Sequence, residues 1–346
     1  MKALRKADQK PGAVMVEIPI PEIKDNEMLI KVTATALCKS DVDVYEWTPL
    51  VASSNYALPF TLGHEFFGEV VKAGSSVKRF KLGDKIAGET HIPCGYCNTC
   101  RTGNQHICSN NMGVIGRNVN GCFAEYIVMP EISAVKMPDD MNPAQGSLME
   151  PLGTALHAVT KANVSGKTVA ILGCGTIGQM AVEFAKFLGA TKVIAADIMQ
   201  SKLDECKKLG ADVIINNREQ DWVEVAMKET HNIGVGCVVD FTGNQKVINQ
   251  AMDALAIGGK CVFVGMIDYP LTFNEFMKKV VYKELNLTGI FGRRMFETWE
   301  LLAEILATGR INLGHYVAAE IPMSEFEKGV EMFPKVSGRV VMYPDK

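Results

Sequence analysis

Along residues 1 to about 155 the apolar positions fall at strand spacing and are interrupted by turn residues. "MLIKVTATALC" mixes apolar and β-branched residues as a strand does. "GEVVKAGSSVKRFKLGDKIAG" predicts a strand, a Gly-Ser turn and a second strand entered through Gly83 and Asp84, while "CFAEYIVMP" alternates up to a proline stop. The expected product is an irregular, mostly antiparallel β region.

Beyond that point the period changes. "KTVAILG" reads as a buried strand, and "TIGQMAVEFAKFLGA" carries helical spacing with a glycine near its end. "KVIAAD" follows as a strand, "SKLDECKKLGA" as a helix, "DVIIN" as a strand, and "CVVDFTG" and "GKCVFVG" as two more. Strands separated by helix-length segments predict an α/β unit with a doubly wound parallel sheet. After about residue 295 come a helix, "MFETWELLAEILATG", and short strands ending in "GRVVMYP", expected to return to the first domain. The division expected is therefore 1–155 with 295–346, and 156–294.

Composition changes this picture little. A chain of 346 residues exceeds what one core usually serves, and 47% apolar with 22% charged residues excludes disordered and fibrous classes. A net charge of −3 gives no polycation for nucleic acid or anionic lipid. No apolar run suits a signal peptide or a membrane span. The expectation is a cytoplasmic protein with neither nucleic acid nor membrane as partner. In that reducing compartment clustered cysteines are ligands or catalytic groups before they are disulfides.

Chemistry enters first at "GCGTIG", where Gly173, Gly175 and Gly178 form G-x-G-x-x-G between a strand and a helix. The first glycine makes the tight turn, the second admits the pyrophosphate, and the third allows close helix–sheet packing. Asp197 ends the next strand, nineteen residues after Gly178. A carboxylate there accepts both ribose hydroxyls and repels a 2′-phosphate, which favours NAD; Lys202, on the following helix, works partly against that repulsion.

"CGYCNTCRTGNQHIC" places Cys94, Cys97, Cys100 and Cys108 in one compact loop. Four thiolates suit a closed structural zinc site. The spacing alone also admits an iron–sulfur cluster, for which a neighbouring nicotinamide domain offers no electron path. Open chemistry is expected elsewhere, from Cys38 at the end of a strand, His64 and Glu65 beside a turn, and Glu150 in "MEPLG". A mixed thiolate, imidazole and carboxylate set leaves zinc room for water or substrate.

"GHEFFGEVVKAGSSV", with Gly68, Gly74 and Val77 at their places, resembles the zinc signature of the medium-chain alcohol dehydrogenases, and the cysteine lobe and glycine fingerprint fit the same family. That resemblance spans essentially the whole chain. It implies a GroES-like catalytic domain carrying the structural zinc lobe at about 89–112, a Rossmann domain, and one catalytic and one structural zinc per chain. By the resemblance Cys38, His64 and Glu65 bind catalytic zinc, and Glu150 ligates or tunes it. Ile177, Asp197, Lys202, Val264, Gly265, Met266, Ile290 and Phe291 line the NAD site. "DVYEW", "GETHIPCGYC", "MEPLG" and "GIFGRRMFETW" are similar to segments of members that oxidise the secondary hydroxyl of L-threonine. A homotetramer is implied in the same way.

Departures from that branch lie in "CKSDVD". Ser40 keeps the hydroxyl that accepts the substrate proton, but Asp43 stands where a histidine would relay it, so either water completes the relay or the surroundings raise the Asp43 pKa. Lys39 replaces a glycine and is expected either at the cofactor pyrophosphate or in solvent. Thr154 stands where an asparagine is usual. These changes suit a polyol or secondary-alcohol substrate of the sorbitol or butanediol type, the alternative reading. For an amino-acid substrate, His91 in "GETHIP" is the expected polar partner.

Overall fold

The computed structural model describes residues 1–54 and 56–345. It divides into two compact units, Met1–Pro151 with Arg294–Lys346, and Leu152–Arg293. The sequence placed the first passage at 155/156. The helix Met149–Ala162 runs across both positions, so no break in periodicity marks the crossing.

In the first unit, Glu27–Ala36 lies centrally in a seven-stranded sheet, between Glu65–Ala73 and the C-terminal strand Arg339–Tyr343. Pairing is antiparallel except where Val317–Pro322 runs parallel to Arg339–Tyr343. The C-terminal segment therefore does return to this sheet, with Val341 opposite Ala36, and Ala36 in turn opposite Glu65. Met28, Ile30, Val32, Phe66, Val70, Phe123, Val340 and Met342 are buried in its core. Burying apolar side chains at about 25 cal/mol per Å² is what holds a C-terminal strand there.

Immediately after Glu27–Ala36 the chain turns at Leu37 and Cys38 into a helix, Lys39–Glu46, that the strand-like pattern did not announce. The Asp41 side chain accepts the N–H of Cys38 at 3.0 Å and so caps the turn. Trp47, in the left-handed region at φ 54°, ends it.

The second unit holds six parallel strands. In spatial order they are Val213–Asn216, Lys192–Asp197, Thr168–Leu172, Val235–Asp240, Leu255–Phe263 and Asn286–Gly289. Helices Thr176–Phe187, Gln200–Lys208 and Gln245–Ala254 supply crossovers. The order reverses between Thr168–Leu172 and Val235–Asp240, the doubly wound arrangement expected. Asn286–Gly289 escaped the sequence reading because its residues, Asn-Leu-Thr-Gly, are half-exposed at a sheet edge.

One glycine of the first unit is fixed by both conformation and space. Gly63, immediately before His64, has φ +91°, and a Cβ there would lie 2.1 Å from Cδ1 of the buried Phe123 ring. Gly63→Ala is expected to cost about 2–5 kcal/mol, the sum of a left-handed backbone and an overpacked contact. Denaturant unfolding with zinc analysis checks this: the variant should lose the zinc attributed to His64 before that of the cysteine lobe.

Candidate active site and dinucleotide site

The strand end, the turn at Gly63 and the start of the next strand bring three side chains together. The Cys38 Sγ, a ring nitrogen of His64 and a carboxylate oxygen of Glu65 all lie within 4.8 Å of one another. Asp41 Oδ1 stands 3.3 Å from His64 Nδ1 while Oδ2 takes the Cys38 N–H at 3.0 Å. One buried carboxylate thus orients two of the three donors, the outer-ligand arrangement that metal-binding histidines need.

Glu65 is held from the far end of the sequence. Arg339 Nη2 donates to its Oε1 at 2.7 Å and Nε to its Oε2 at 3.0 Å, and Nη2 also lies 3.9 Å from Cys38 Sγ. Burial pushes the Glu65 carboxyl up to about 7 against the pull of that guanidinium. Burial works against charge on His64, yet the Asp41 carboxylate and Cys38 hold its pKa well above the usual range. A cation entering here therefore displaces protons. Sulfur, nitrogen and oxygen donors in one small set fit zinc and leave coordination positions over.

Glu150 lies outside this three-donor set. It is buried, and its Oε1 accepts the Thr90 hydroxyl at 2.6 Å, while its charge acts on both Glu65 and Arg339.

The second cage is built from sulfur alone. The thiols of Cys94, Cys97, Cys100 and Cys108 lie within 4.8 Å of one another, with separations of 3.4 Å for Cys97–Cys100, 3.8 Å for Cys97–Cys108 and 4.0 Å for Cys94–Cys100. A zinc tetrahedron with bonds of about 2.3 Å has edges of about 3.8 Å, which these distances match. All four cysteines are free of disulfides. The N–H of Cys100, with the hydroxyls of Thr99 and Ser109, draws the Cys97 thiol down to about 4, whereas burial pushes Cys100 up to about 12.

In the second unit each glycine of the fingerprint has a spatial reason. Gly173 adopts φ +88° with Thr242 and Phe241 close by, and a Cβ on Gly178 would lie 2.0 Å from the Gly173 carbonyl oxygen. Gly175, the N-cap of Thr176–Phe187, faces open space, where a Cβ would occupy the approach of a phosphate. Asp197 accepts the N–H groups of Cys174, Ile198 and Met199 at 2.7, 2.7 and 2.9 Å, so its carboxylate stands against the glycine loop. Ile177 and Lys202 lie in the first turns of their helices, while Val264–Met266 and Ile290–Phe291 follow the ends of two parallel strands. All these residues gather at one edge of the sheet, where an open α/β sheet binds its ligand.

One expectation needs revision, that Cys38 ends a strand: it precedes a helix. The Lys39 ammonium pairs with Asp43, one helical turn on, while its side chain stays more than half exposed. Asp43 is buried and Ser40 half-buried on the same helix. His91 is buried with Nδ1 2.6 Å from Glu89 Oε1, and the other Glu89 oxygen accepts Trp299 Nε1 at 2.8 Å. Asp41, Glu89, Thr90 and Arg339 were missed. "GETHIP" held the signal for two of them; Arg339 had none, lying 274 residues from its partner.

Two family models and full-length relatives match the chain. Residues 24–139 match the family described as alcohol dehydrogenase GroES-like domain, and residues 176–308 that described as zinc-binding dehydrogenase. L-threonine 3-dehydrogenases of Bacillus subtilis and Caldanaerobacter subterraneus are 38% and 40% identical, each over 99% of both chains. Among solved structures, the alcohol dehydrogenase TADH of Thermus sp. ATN1 superposes with a TM-score of 0.91 at 26% identity over 100% of both chains. A Sinorhizobium meliloti zinc-binding dehydrogenase bound to NADP gives 0.90 at 29% over 99% of both. The 2R,3R-butanediol dehydrogenase of Bacillus subtilis gives 0.87 at 26% over 99% of both.

The raised His64 and Glu65 set the acid response. Both must lose protons to hold a cation, so the affinity of the three-donor set for zinc is expected to weaken as pH falls below about 7. Competition with a chelator at stepped pH on the full chain checks this; a zinc affinity at this set that does not change with pH would contradict it. Asp197→Ala is expected to weaken NAD by about tenfold and to narrow its advantage over NADP. Paired KM measurements check it, and an unchanged cofactor ratio would remove Asp197 from that role.

Proposed function

The chain belongs to the zinc-dependent medium-chain alcohol dehydrogenases, and from that premise we propose that it oxidises the secondary hydroxyl of L-threonine, giving 2-amino-3-oxobutanoate and reduced NAD. The observation that carries the reaction type is the open set of Cys38, His64 and Glu65 in a chain that also holds a glycine fingerprint ending at Gly178. Full-length similarity to L-threonine 3-dehydrogenases supports the choice of substrate.

In this reading Cys38, His64 and Glu65 hold catalytic zinc, and Cys94, Cys97, Cys100 and Cys108 hold the structural ion. Zinc supplies Lewis acidity that lowers the hydroxyl pKa, and the dinucleotide supplies the hydride acceptor. Ser40, two residues after Cys38, takes the hydroxyl proton. Asp43 lies three residues further on, so the two share a helix face. With Asp43 paired to Lys39, water carries the proton onward. Glu150 stays a nearby carboxylate held by Thr90, tuning the centre electrostatically. His91, oriented by Glu89, serves the amino-acid end of the substrate.

NAD is the proposed dinucleotide, on the strength of Asp197. A cytoplasmic homotetramer is proposed by analogy with the family; no described helix is long and apolar enough to cross a membrane.

The second reading is a polyol or secondary-alcohol dehydrogenase. Ser40 and Asp43 favour it, as does Thr154, whose hydroxyl accepts Arg293 Nη1 at 3.2 Å. The solved butanediol dehydrogenase adds to it. A panel of L-threonine, sorbitol and 2,3-butanediol at fixed NAD separates the two. Threonine is expected to give the highest kcat/KM and to lose it with chelation of zinc. Turnover of a polyol without turnover of threonine would reverse the assignment.

A further inference from the structure

The strand Val235–Asp240 ends in a carboxylate that no step above uses. Asp240 is fully buried, and burial pushes its carboxyl up while bonds from Thr242 and Gly243 draw it back. Oδ1 accepts the N–H and the hydroxyl of Thr242 at 3.1 and 2.6 Å, and Oδ2 accepts the N–H of Gly243 at 3.1 Å. None of these donors is charged. The main-chain carbonyl of the same residue accepts the N–H groups of Val264 and Gly265 at 2.9 and 3.0 Å. Asp240 thus holds the loop that follows its own strand and the loop that follows Leu255–Phe263.

Those loops meet with no room for side chains. Gly243 has φ +59°, and a Cβ on it would lie 2.4 Å from the Met266 carbonyl oxygen; a Cβ on Gly265 would lie 2.2 Å from the Gly243 nitrogen. On the other side, a Cβ on Gly173 would lie 3.0 Å from Thr242 Cγ2, and Phe241 N–H donates to Leu172 at 2.8 Å. The glycine turn, residues 240–243 and residues 264–266 are therefore stacked in that order. They occupy the carboxyl ends of Thr168–Leu172, Val235–Asp240 and Leu255–Phe263, the first two of which flank the reversal of strand order, where a dinucleotide binds.

We propose that Asp240 is a positioning residue for the nicotinamide half of the dinucleotide, fixing the spacing between the Gly173 turn and the Val264–Met266 loop without touching the cofactor. The inference rests on the dinucleotide reading and not on the choice of alcohol. An asparagine keeps the volume but offers one acceptor oxygen and turns an NH₂ group toward N–H donors, so the turn relaxes. Relaxation taxes the ligand that must span both loops and spares one that needs only the glycine turn and Asp197.

The test compares NADH with ADP-ribose, which lacks the nicotinamide, on the full chain with Asp240→Asn and Thr242→Val. Calorimetric dissociation constants and the emission of bound reduced nicotinamide are read together. NADH is expected to weaken about tenfold with Asp240→Asn, and its bound-state emission to fall, while ADP-ribose stays within about twofold. Equal losses for both ligands, or unchanged NADH, would overturn the proposal. Thr242→Val removes only the 2.6 Å hydroxyl bond and carries the same comparison if Asp240→Asn does not fold. Wild-type chain binding neither ligand would overturn the dinucleotide reading itself, and since no alcohol enters the experiment, a wrong substrate cannot imitate any of these results.

Discussion

The candidate metal centre depends on one buried ion pair, between Arg339 and Glu65. Cys38, Asp41 and Glu65 bring potential negative charge into a small space around His64, and Glu150 adds to it. Without a fixed cation such a cluster would repel itself or be held together only by protons. The guanidinium stays charged at any working pH, and its planar fork matches the two carboxylate oxygens. Removing one partner of a pair of this kind leaves an uncompensated buried charge, a loss of about 3–5 kcal/mol. That is why the C-terminal strand must come back beside Glu27–Ala36. Its first residue is part of the electrostatics of the site.

The two cation sites solve opposite problems. The four-thiol lobe gathers all its donors from fifteen consecutive residues, and local backbone N–H groups steady the sulfurs: Cys97 donates to Cys94 and Asn110 to Cys108, at 3.3 and 3.4 Å. It needs nothing from the rest of the chain except a place to sit. The three-donor set takes Cys38 from the N-terminus of Lys39–Glu46 and His64 with Glu65 from the start of a strand. Asp41 orients the first two and Arg339 the third. A site left open for chemistry has too few ligand bonds to define its own shape, so the surrounding shell does that work.

This difference decides what could be read from sequence. The lobe, the fingerprint and the strand–helix alternation of the second unit are local patterns, and each appears where its period or spacing placed it. Cys38, His64 and Glu65 converge as well, because two short motifs carry them. What failed is of another kind. The helix Lys39–Glu46 hid behind a β-branched run, and its cap is an aspartate three residues beyond a cysteine. The Lys39–Asp43 pair follows only once that helix is known, since residues four apart meet on a helix and not on a strand. Arg339 and Trp299 act across hundreds of residues, and no periodicity announces a partner at that distance.

Cofactor choice lies beyond the fold altogether. A solved relative of nearly the same backbone binds NADP, so the six parallel strands and the glycine turn do not commit a chain to either dinucleotide. Under the NAD proposal the deciding group is the Asp197 carboxylate, and three main-chain N–H groups already point at it. Those bonds fix its position without neutralising it, because a neutral donor leaves the net charge in place. Two carboxylate oxygens offer about four acceptor sites, so a ribose hydroxyl still finds one where a 2′-phosphate meets like charge. On the same proposal Lys202, on the helix that follows, works partly against this field. The proposed preference is therefore a balance between two side chains five residues apart on an indifferent scaffold, and it rests on charge and not on shape.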